Sequence, residues 1–105
     1  PVAVCGAHTF CMVIAGAYHT FAIDNHKKTW GWGYNKYGQV GDNSVTCRST
    51  PVAVCGAHTF CYISGGALHS LGMDINFNSW AWGYNNYGQL GDNTVTSRRT
   101  PVAVV

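Results

Sequence analysis

Large and small residues alternate along short stretches of this chain, and polar stretches rich in Gly and Asn separate them. In His19-Thr20-Phe21-Ala22-Ile23 the odd positions are large and the even ones small. In Thr29-Trp30-Gly31-Trp32-Gly33 two tryptophans alternate with two glycines. His69-Ser70-Leu71-Gly72-Met73 and Ser79-Trp80-Ala81-Trp82 do the same, and Pro51-Val52-Ala53-Val54 sets two valines on one side. A period of two is the mark of a strand, because strand side chains point to opposite faces in turn. The pattern predicts strands at Pro1–Val4, Phe10–Ala15, His19–Asp24, Thr29–Gly33, Pro51–Val54, Phe60–Ser64, His69–Asp74, Ser79–Gly83 and Pro101–Val104. Cys5–Thr9 is read as a loop, Asn25–Lys28 as a turn and Tyr34–Thr50 as a long loop.

The strands repeat. Residues 51–61 copy residues 1–11 without a change, and 30 of the first 50 positions match the residue 50 further on. A third copy opens at Pro101-Val102-Ala103-Val104. A period near 50 with four short strands per period is the signature of propeller blades. The expected fold is all-β, with two four-stranded blades. Residues 1–50 form the first repeat, its outer strand supplied near 51–54. Residues 51–105 form the second, with its outer strand at 101–104.

Neither side of these strands carries a run of charge, so both faces of each sheet are expected to be buried. One face should be bulky and the other small. Trp30, Trp32, Trp80, Trp82, Phe21 and Leu71 would supply the bulk, and Gly31 and Ala81 the sockets that receive it. Leucine at Gly31 and Ala81 is then expected to break assembly. Bulky against small is a head-to-tail contact, which closes into a ring or runs on as a filament. Two blades do not close a ring. The expected partner is therefore the chain itself, three copies giving six blades or four giving eight, or the flanking blades of a longer array.

Trp30–Asn43 recurs as Trp80–Asn93. After the tryptophans it reads as a rigid loop shaped by Gly38, Gly41 and Asp42, and again by Gly88, Gly91 and Asp92. Asp side chains organise turns by accepting local backbone N–H groups, and Arg48 and Arg98 are the natural charge-assisted partners.

Composition narrows the chemistry. Charged residues make up 10% of the chain and the net charge is +2, which is no basic footprint for nucleic acid. Lys27-Lys28 and Arg98-Arg99 read as solvated pairs. No apolar run approaches the ~18 residues of a membrane span. The chain begins at Pro1 without Met, as a processed form, an excised fragment or an engineered chain would.

Cys5 and Cys11 flank Gly-Ala-His-Thr-Phe, as do Cys55 and Cys61. Disulfides within each pair, free buried thiols, and a Cys-x2-His-x2-Cys metal set with His8 or His58 are the alternatives. The last spacing is not a common zinc pattern, and no metal or cofactor is expected. Oxidised cysteines would favour an extracellular setting. Cys47 is left over in every case.

His19 and His69 read as hydrogen-bonded residues near the blade junction, and His26 as an exposed turn residue. Asp24, Asp42, Asp74 and Asp92 are the only carboxylates, all in repeat-symmetric places, and no nucleophile–base–orienter set accompanies them. Gly31, Gly33, Gly38 and Gly41 follow a strand but open no helix, so no phosphate loop is formed. The chain is read as non-catalytic.

His19-Thr20-Phe21-Ala22-Ile23, Trp32-Gly33-Tyr34-Asn35, Gly38-Gln39-Val40-Gly41-Asp42, Arg48 and Pro51, with their counterparts His69, Trp82-Gly83, Asn85, Gly88-Gln89-Leu90-Gly91-Asp92 and Arg98, resemble the repeat of the regulator-of-chromosome-condensation propellers. The resemblance covers essentially the whole chain. It implies four-stranded blades, seven to a ring in the family, and protein recognition by loops at the ends of the ring. Members of the family include an exchange factor for a small GTPase that binds chromatin, and secreted inhibitors of β-lactamases.

Two departures stand out. The Asp-Gly usual before the third strand is His26-Lys27 and Asn76-Phe77 here, so this turn is expected to be built differently. Phe77 at its tip is a candidate partner contact. Asp-Gly-Thr is Asp42-Asn43-Ser44 and Asp92-Asn93-Thr94, a mild change, since Asn tolerates positive φ. The expected function is self-assembly and protein recognition, with an open head-to-tail array or a secreted surface or inhibitor-type binding protein as the alternative.

Overall fold

A computed structural model describes residues 3–6, 9–56 and 58–105. It contains two four-stranded antiparallel sheets. The first holds β1 (Phe10–Ala15), β2 (His19–Asp24), β3 (Thr29–Gly33) and β4 (Arg48–Ala53), in that order. The second holds β5 (Phe60–Gly65), β6 (His69–Asp74), β7 (Ser79–Gly83) and β8 (Arg98–Ala103), again in order.

Five strands run over the residues that alternation marks out, and β5 runs one residue further. β4 and β8 start three residues before the proline and end one residue earlier than expected. Arg48 pairs with Gly33 across a bulge, and Arg98 with Gly83, which draws Arg48–Thr50 and Arg98–Thr100 out of the loops into strand. Of the expected first strand, Pro1 and Val2 lie outside the described residues, and Ala3 and Val4 are not in a strand.

The register corrects the idea of one bulky and one small face. Directly opposed residues of antiparallel strands share a face. Phe21 opposes Gly31, while Thr20 opposes Trp32 and Ala22 opposes Trp30. Each face therefore sets a large-residue strand beside a small-residue one. The second sheet keeps the rule, with Leu71 opposite Ala81: the smaller β6 residue is matched by a larger β7 residue.

Gly31 is consequently no interblade socket. A Cβ there would come 2.8 Å from the Phe21 ring and 3.2 Å from the Val40 carbonyl, both in its own repeat. Leucine at position 31 would break its own blade first.

The hairpin from β2 to β3 is held by a carboxylate. Asp24 Oδ1 accepts the N–H groups of His26 and Lys28 at 2.8 and 2.9 Å, and its Oδ2 accepts the Trp30 indole at 2.9 Å. Asp74 repeats this with Asn76, Asn78 and Trp80. The turn is not rebuilt to avoid positive φ. Lys27 and Phe77 take φ of 66° and 65° themselves. A left-handed residue other than Gly costs ~1 kcal/mol or more. Phe77 is 81% exposed, so Phe77→Gly removes strain and little packing. It should raise stability by about 0.5–1 kcal/mol, read as a higher thermal midpoint.

No disulfide occurs among the described residues, and all five cysteines are free thiols, which corrects the pairing of Cys5 with Cys11 and of Cys55 with Cys61. Cys11 sits at a bulge, where the register shifts between Phe10 and Met12, and its Sγ donates to the Ile23 and Asp24 carbonyls at 3.4 Å. Cys61 does the same toward Met73 and Asp74. The thiols are turned to the neighbouring strand.

The core lies between the two sheets. Phe21 and Ile23 from the first meet Phe60, Ile63 and Trp82 from the second, with Ile14, Val54 and Trp80 partly buried against them.

Candidate functional site

The seam between the sheets is the most developed site in the molecule. Trp82 is fully buried in it. Its ring lies edge-on to Phe21, centroids 5.7 Å apart, and stacks on Phe60 at 5.6 Å. Its indole N–H donates to the Gln39 carbonyl at 2.9 Å. The Ser70 hydroxyl donates to the same carbonyl at 2.6 Å. Having used its one proton, Ser70 Oγ must accept from His19 Nε2 at 2.9 Å. His19 thus carries its proton on Nε2, and its buried Nδ1 has no partner.

Burial, and then the nearby His69, push the His19 pKa down to about 4. A neutral His19 belongs to the docked state. A lowered pKa means that its contribution is complete above the unfolded value near 6.5 and is lost as pH falls toward about 4. Urea midpoints should therefore drop between pH 7 and pH 4, and His19→Gln should flatten that part of the profile. A wild-type profile level across this window would contradict the seam geometry.

The long loop of the first blade is a seam element as much as a connector. Asn35 is fully buried and acts as its clamp. Its Nδ2 reaches Asp42 Oδ1, Ser44 Oγ and the carbonyls of Ser44 and Thr46, and its Oδ1 accepts the Val40 N–H at 2.9 Å. Gln39 Oε1 takes the Tyr37 N–H. Arg48 Nε lies 2.7 Å from Asp42 Oδ2. Burial pushes the Asp42 carboxyl up, but the Ser44 hydroxyl, Arg48 and Asn35 outweigh it and hold the group below the usual range.

Thus shaped, the loop lies on the second blade. Gly38 comes so close to β8 that a Cβ there would stand 2.6 Å from Arg99 Cα, and Gly41 would meet the Trp82 indole at 2.7 Å. The Asn43 N–H donates to the Arg99 carbonyl at 3.0 Å. Asn43 has a φ of 64°, the left-handed conformation that Asn tolerates.

The second blade builds the same loop, with no further blade against it among the described residues. Asn85 clamps Asp92 Oδ1 and the Thr94 and Thr96 carbonyls, and Arg98 pairs with Asp92 at 2.8 Å. The Thr94 hydroxyl, against some opposing burial and with help from Arg98 and Asn85, holds Asp92 at about 2. A Cβ on Gly88 would meet only Thr94 O, at 4.0 Å. Gly88, Gly91, Asn93, Thr94, Val95 and Val105 line an open depression of about 620 Å³. It occupies the place that corresponds, in the first blade, to the loop surface covered by β8.

The remaining sequence-predicted residues fall on the open faces or at the edges. Leu71, counterpart of the buried Phe21, is 40% exposed. Trp32, counterpart of Trp82, is half-buried and stacks on Phe10 at 6.1 Å. Trp30 is half-buried and has Lys28 Nζ 4.7 Å above its ring. The His58 ring lies 4.1 Å from Trp80. Its burial lowers the pKa, Asp74 opposing. His8 lies outside the described residues. Phe77 stands alone at its turn tip.

Sequence reasoning missed Asn35 and Asn85, Gln39, Ser70, and the clamp role of Asp24 and Asp74. Asn35, Gln39 and Asp24 are identical to their partners 50 residues on. That identity across the repeat was the available signal.

The model of the regulator of chromosome condensation (RCC1) repeat matches residues 28–73 and 79–105, and a second model of that repeat matches 15–39. No curated protein matches the chain. Among solved structures, human WBSCR16 superposes with a TM-score of 0.84 at 18% identity, over 95% of this chain and 26% of that one. Prp20, the yeast RCC1, matches in its complex with Kap60 with a TM-score of 0.81 at 17% identity, over 99% of this chain and 26% of that one. Prp20p from Saccharomyces cerevisiae, in a structure described with its binding to Gsp1p and histones, gives 0.83 at 17%, over 99% and 27%. The chain spans about a quarter of the length of these proteins.

Proposed function

We propose, from the premise that this chain belongs to the regulator of chromosome condensation (RCC1) repeat family, that it is a non-catalytic pair of propeller blades whose work is assembly and protein recognition. The seam carries this reading. One face of the first blade docks on the opposite face of the second, and each blade then leaves open the face that its twin uses inside. Leu71 is exposed, and His69, Gln89 and Gly88 are half-buried, where Phe21, His19, Gln39 and Gly38 are covered. Trp32 and Thr20 are only half-buried at the other end, where Trp82 and Ser70 are fully covered.

Such head-to-tail surfaces invite a further blade at both ends, from a second copy or from a longer array. Of the buried polar side chains, His19 and Ser70 serve the seam, Asn35, Gln39 and Asn85 the loops, and Asp24 and Asp74 the hairpin turns, which suits a scaffold rather than a catalyst. The yeast neighbour was solved bound to Kap60, which supports protein recognition as the role of a completed ring.

Solution mass tests the proposal. In reductant, across a concentration series, the chain should associate into a closed trimer or tetramer. A mass that stays monomeric at every concentration would overturn it. A ladder of growing lengths would favour the open array instead.

A further inference from the structure

We infer that residue 15 is the specificity-determining position for docking between copies, and this rests on the head-to-tail reading above. Within the chain, β5 ends at Gly65, which lies against Gly16 of the first blade. A Cβ at position 65 would stand 2.9 Å from Gly16 Cα, 3.2 Å from Gly16 N and 3.3 Å from His19 Nε2. Two of these neighbours are backbone atoms, with no flexible end to turn away. The missing side chain is what lets the blades approach until the Ala17 N–H reaches the Gly66 carbonyl at 3.3 Å.

The first blade has alanine in this place. Ala15 pairs with Thr20 as Gly65 pairs with Ser70. Moving the internal seam along by one repeat gives the seam between two copies. Gly16 becomes Gly66, His19 becomes His69, and Gly65 becomes Ala15 of the next copy. Its methyl group then meets Gly66 Cα and N, and His69 Nε2, at the distances above.

Several other seam positions keep their chemistry, while Leu71, Met73 and Val13 stand where the internal core has Phe21, Ile23 and Ile63, apolar exchanges that face side chains able to repack. Trp32 replaces Trp82, and Thr20 keeps the hydroxyl of Ser70. Gln89 replaces Gln39, and Gly88 replaces Gly38. Ala22 adds a carbon relative to Gly72, but a Cβ on Gly72 meets Phe60 and Ile63 of its own blade, where the first blade has Phe10 and the smaller Val13. Ala15 sets its carbon against the backbone of the neighbour. The seam between copies is therefore wider and weaker than the seam within the chain. That difference keeps the two blades together as a unit while leaving contact between units reversible.

Sedimentation equilibrium in reductant tests this, with a melt of each variant to check folding. Ala15→Gly should tighten association about tenfold or more, since overpacking of this kind is a full-size effect. Ala15→Ser should weaken it, and Trp32→Ala should weaken it strongly. If Trp32→Ala weakens association while Ala15→Gly and Ala15→Ser leave it unchanged, head-to-tail docking stands and the role of residue 15 is refuted. Should none of the variants, Ala15→Gly included, associate at any concentration, both fall together.

Discussion

Trp82→Ala should cost the chain about 3–5 kcal/mol, enough to part the two sheets, whereas Trp32→Ala in the dilute monomer should cost only about 1–2 kcal/mol. The two tryptophans occupy the same place in a nearly identical loop-and-strand setting, so intrinsic propensity cancels in the comparison. What differs is cover. Trp82 is wholly buried between Phe21 and Phe60, with its indole bonded to the Gln39 carbonyl. Trp32 lies on the open face.

Removing Trp82 opens a cavity and leaves a buried carbonyl with only the Ser70 hydroxyl. Small domains are stable by only about 5–15 kcal/mol, so the loss should appear as a large fall in the urea midpoint. Equal costs at the two positions would mean that no seam forms in solution.

Asn85→Ala should cost about 3 kcal/mol or more, and Asn85→Asp should be at least as damaging despite its nearly identical shape. Asn85 is fully buried. Its amide donates to Asp92 and to two loop carbonyls, and its carbonyl accepts the Leu90 N–H at 2.9 Å. Alanine leaves several buried groups unpaired, each at about 1–3 kcal/mol. Aspartate keeps the acceptor but turns the donor into a second negative oxygen beside Asp92 and the carbonyls. Thermal melts of the three proteins decide the matter, and a well-tolerated aspartate would refute the clamp.

The strands were legible because alternation of large and small residues reports directly on a period of two. The blade pairing was legible because the repeat is so close. The arrangement of faces was not. His19–Ile23 and Thr29–Gly33 each alternate, but which faces coincide depends on the register between them. Register follows from the Asp24 hairpin, whose geometry no pattern of hydrophobicity encodes. Once Phe21 is seen opposite Gly31, the exchange to Leu71 opposite Ala81 in the second repeat becomes meaningful as a conserved pair volume.

The hairpin itself was misjudged for a related reason. Glycine is the easiest residue at positive φ, but Asp24 and Asp74 anchor the turn with three bonds each. That holds Lys27 and Phe77 in the strained conformation. The six-residue spacing of the cysteines suggested pairing, and the bulges in β1 and β5 explain why the Cys11 and Cys61 thiols face carbonyls instead. Asn35 was visible only as one more polar residue in a loop. Its depth became apparent with the carbonyls that converge on it.

Indole hydrogen exchange on labelled chain, followed over a dilution series, probes the seam and its repetition together. In dilute protein the Trp82 indole should exchange slowly and the Trp32 indole fast. As the chain associates, Trp32 should become protected in step with the rise in mass, because its N–H then meets the Gln89 carbonyl of a neighbouring copy. A Trp82 indole that exchanges as fast as Trp32 in dilute protein, or a Trp32 indole that stays unprotected in the assembled protein, would contradict head-to-tail docking of these blades.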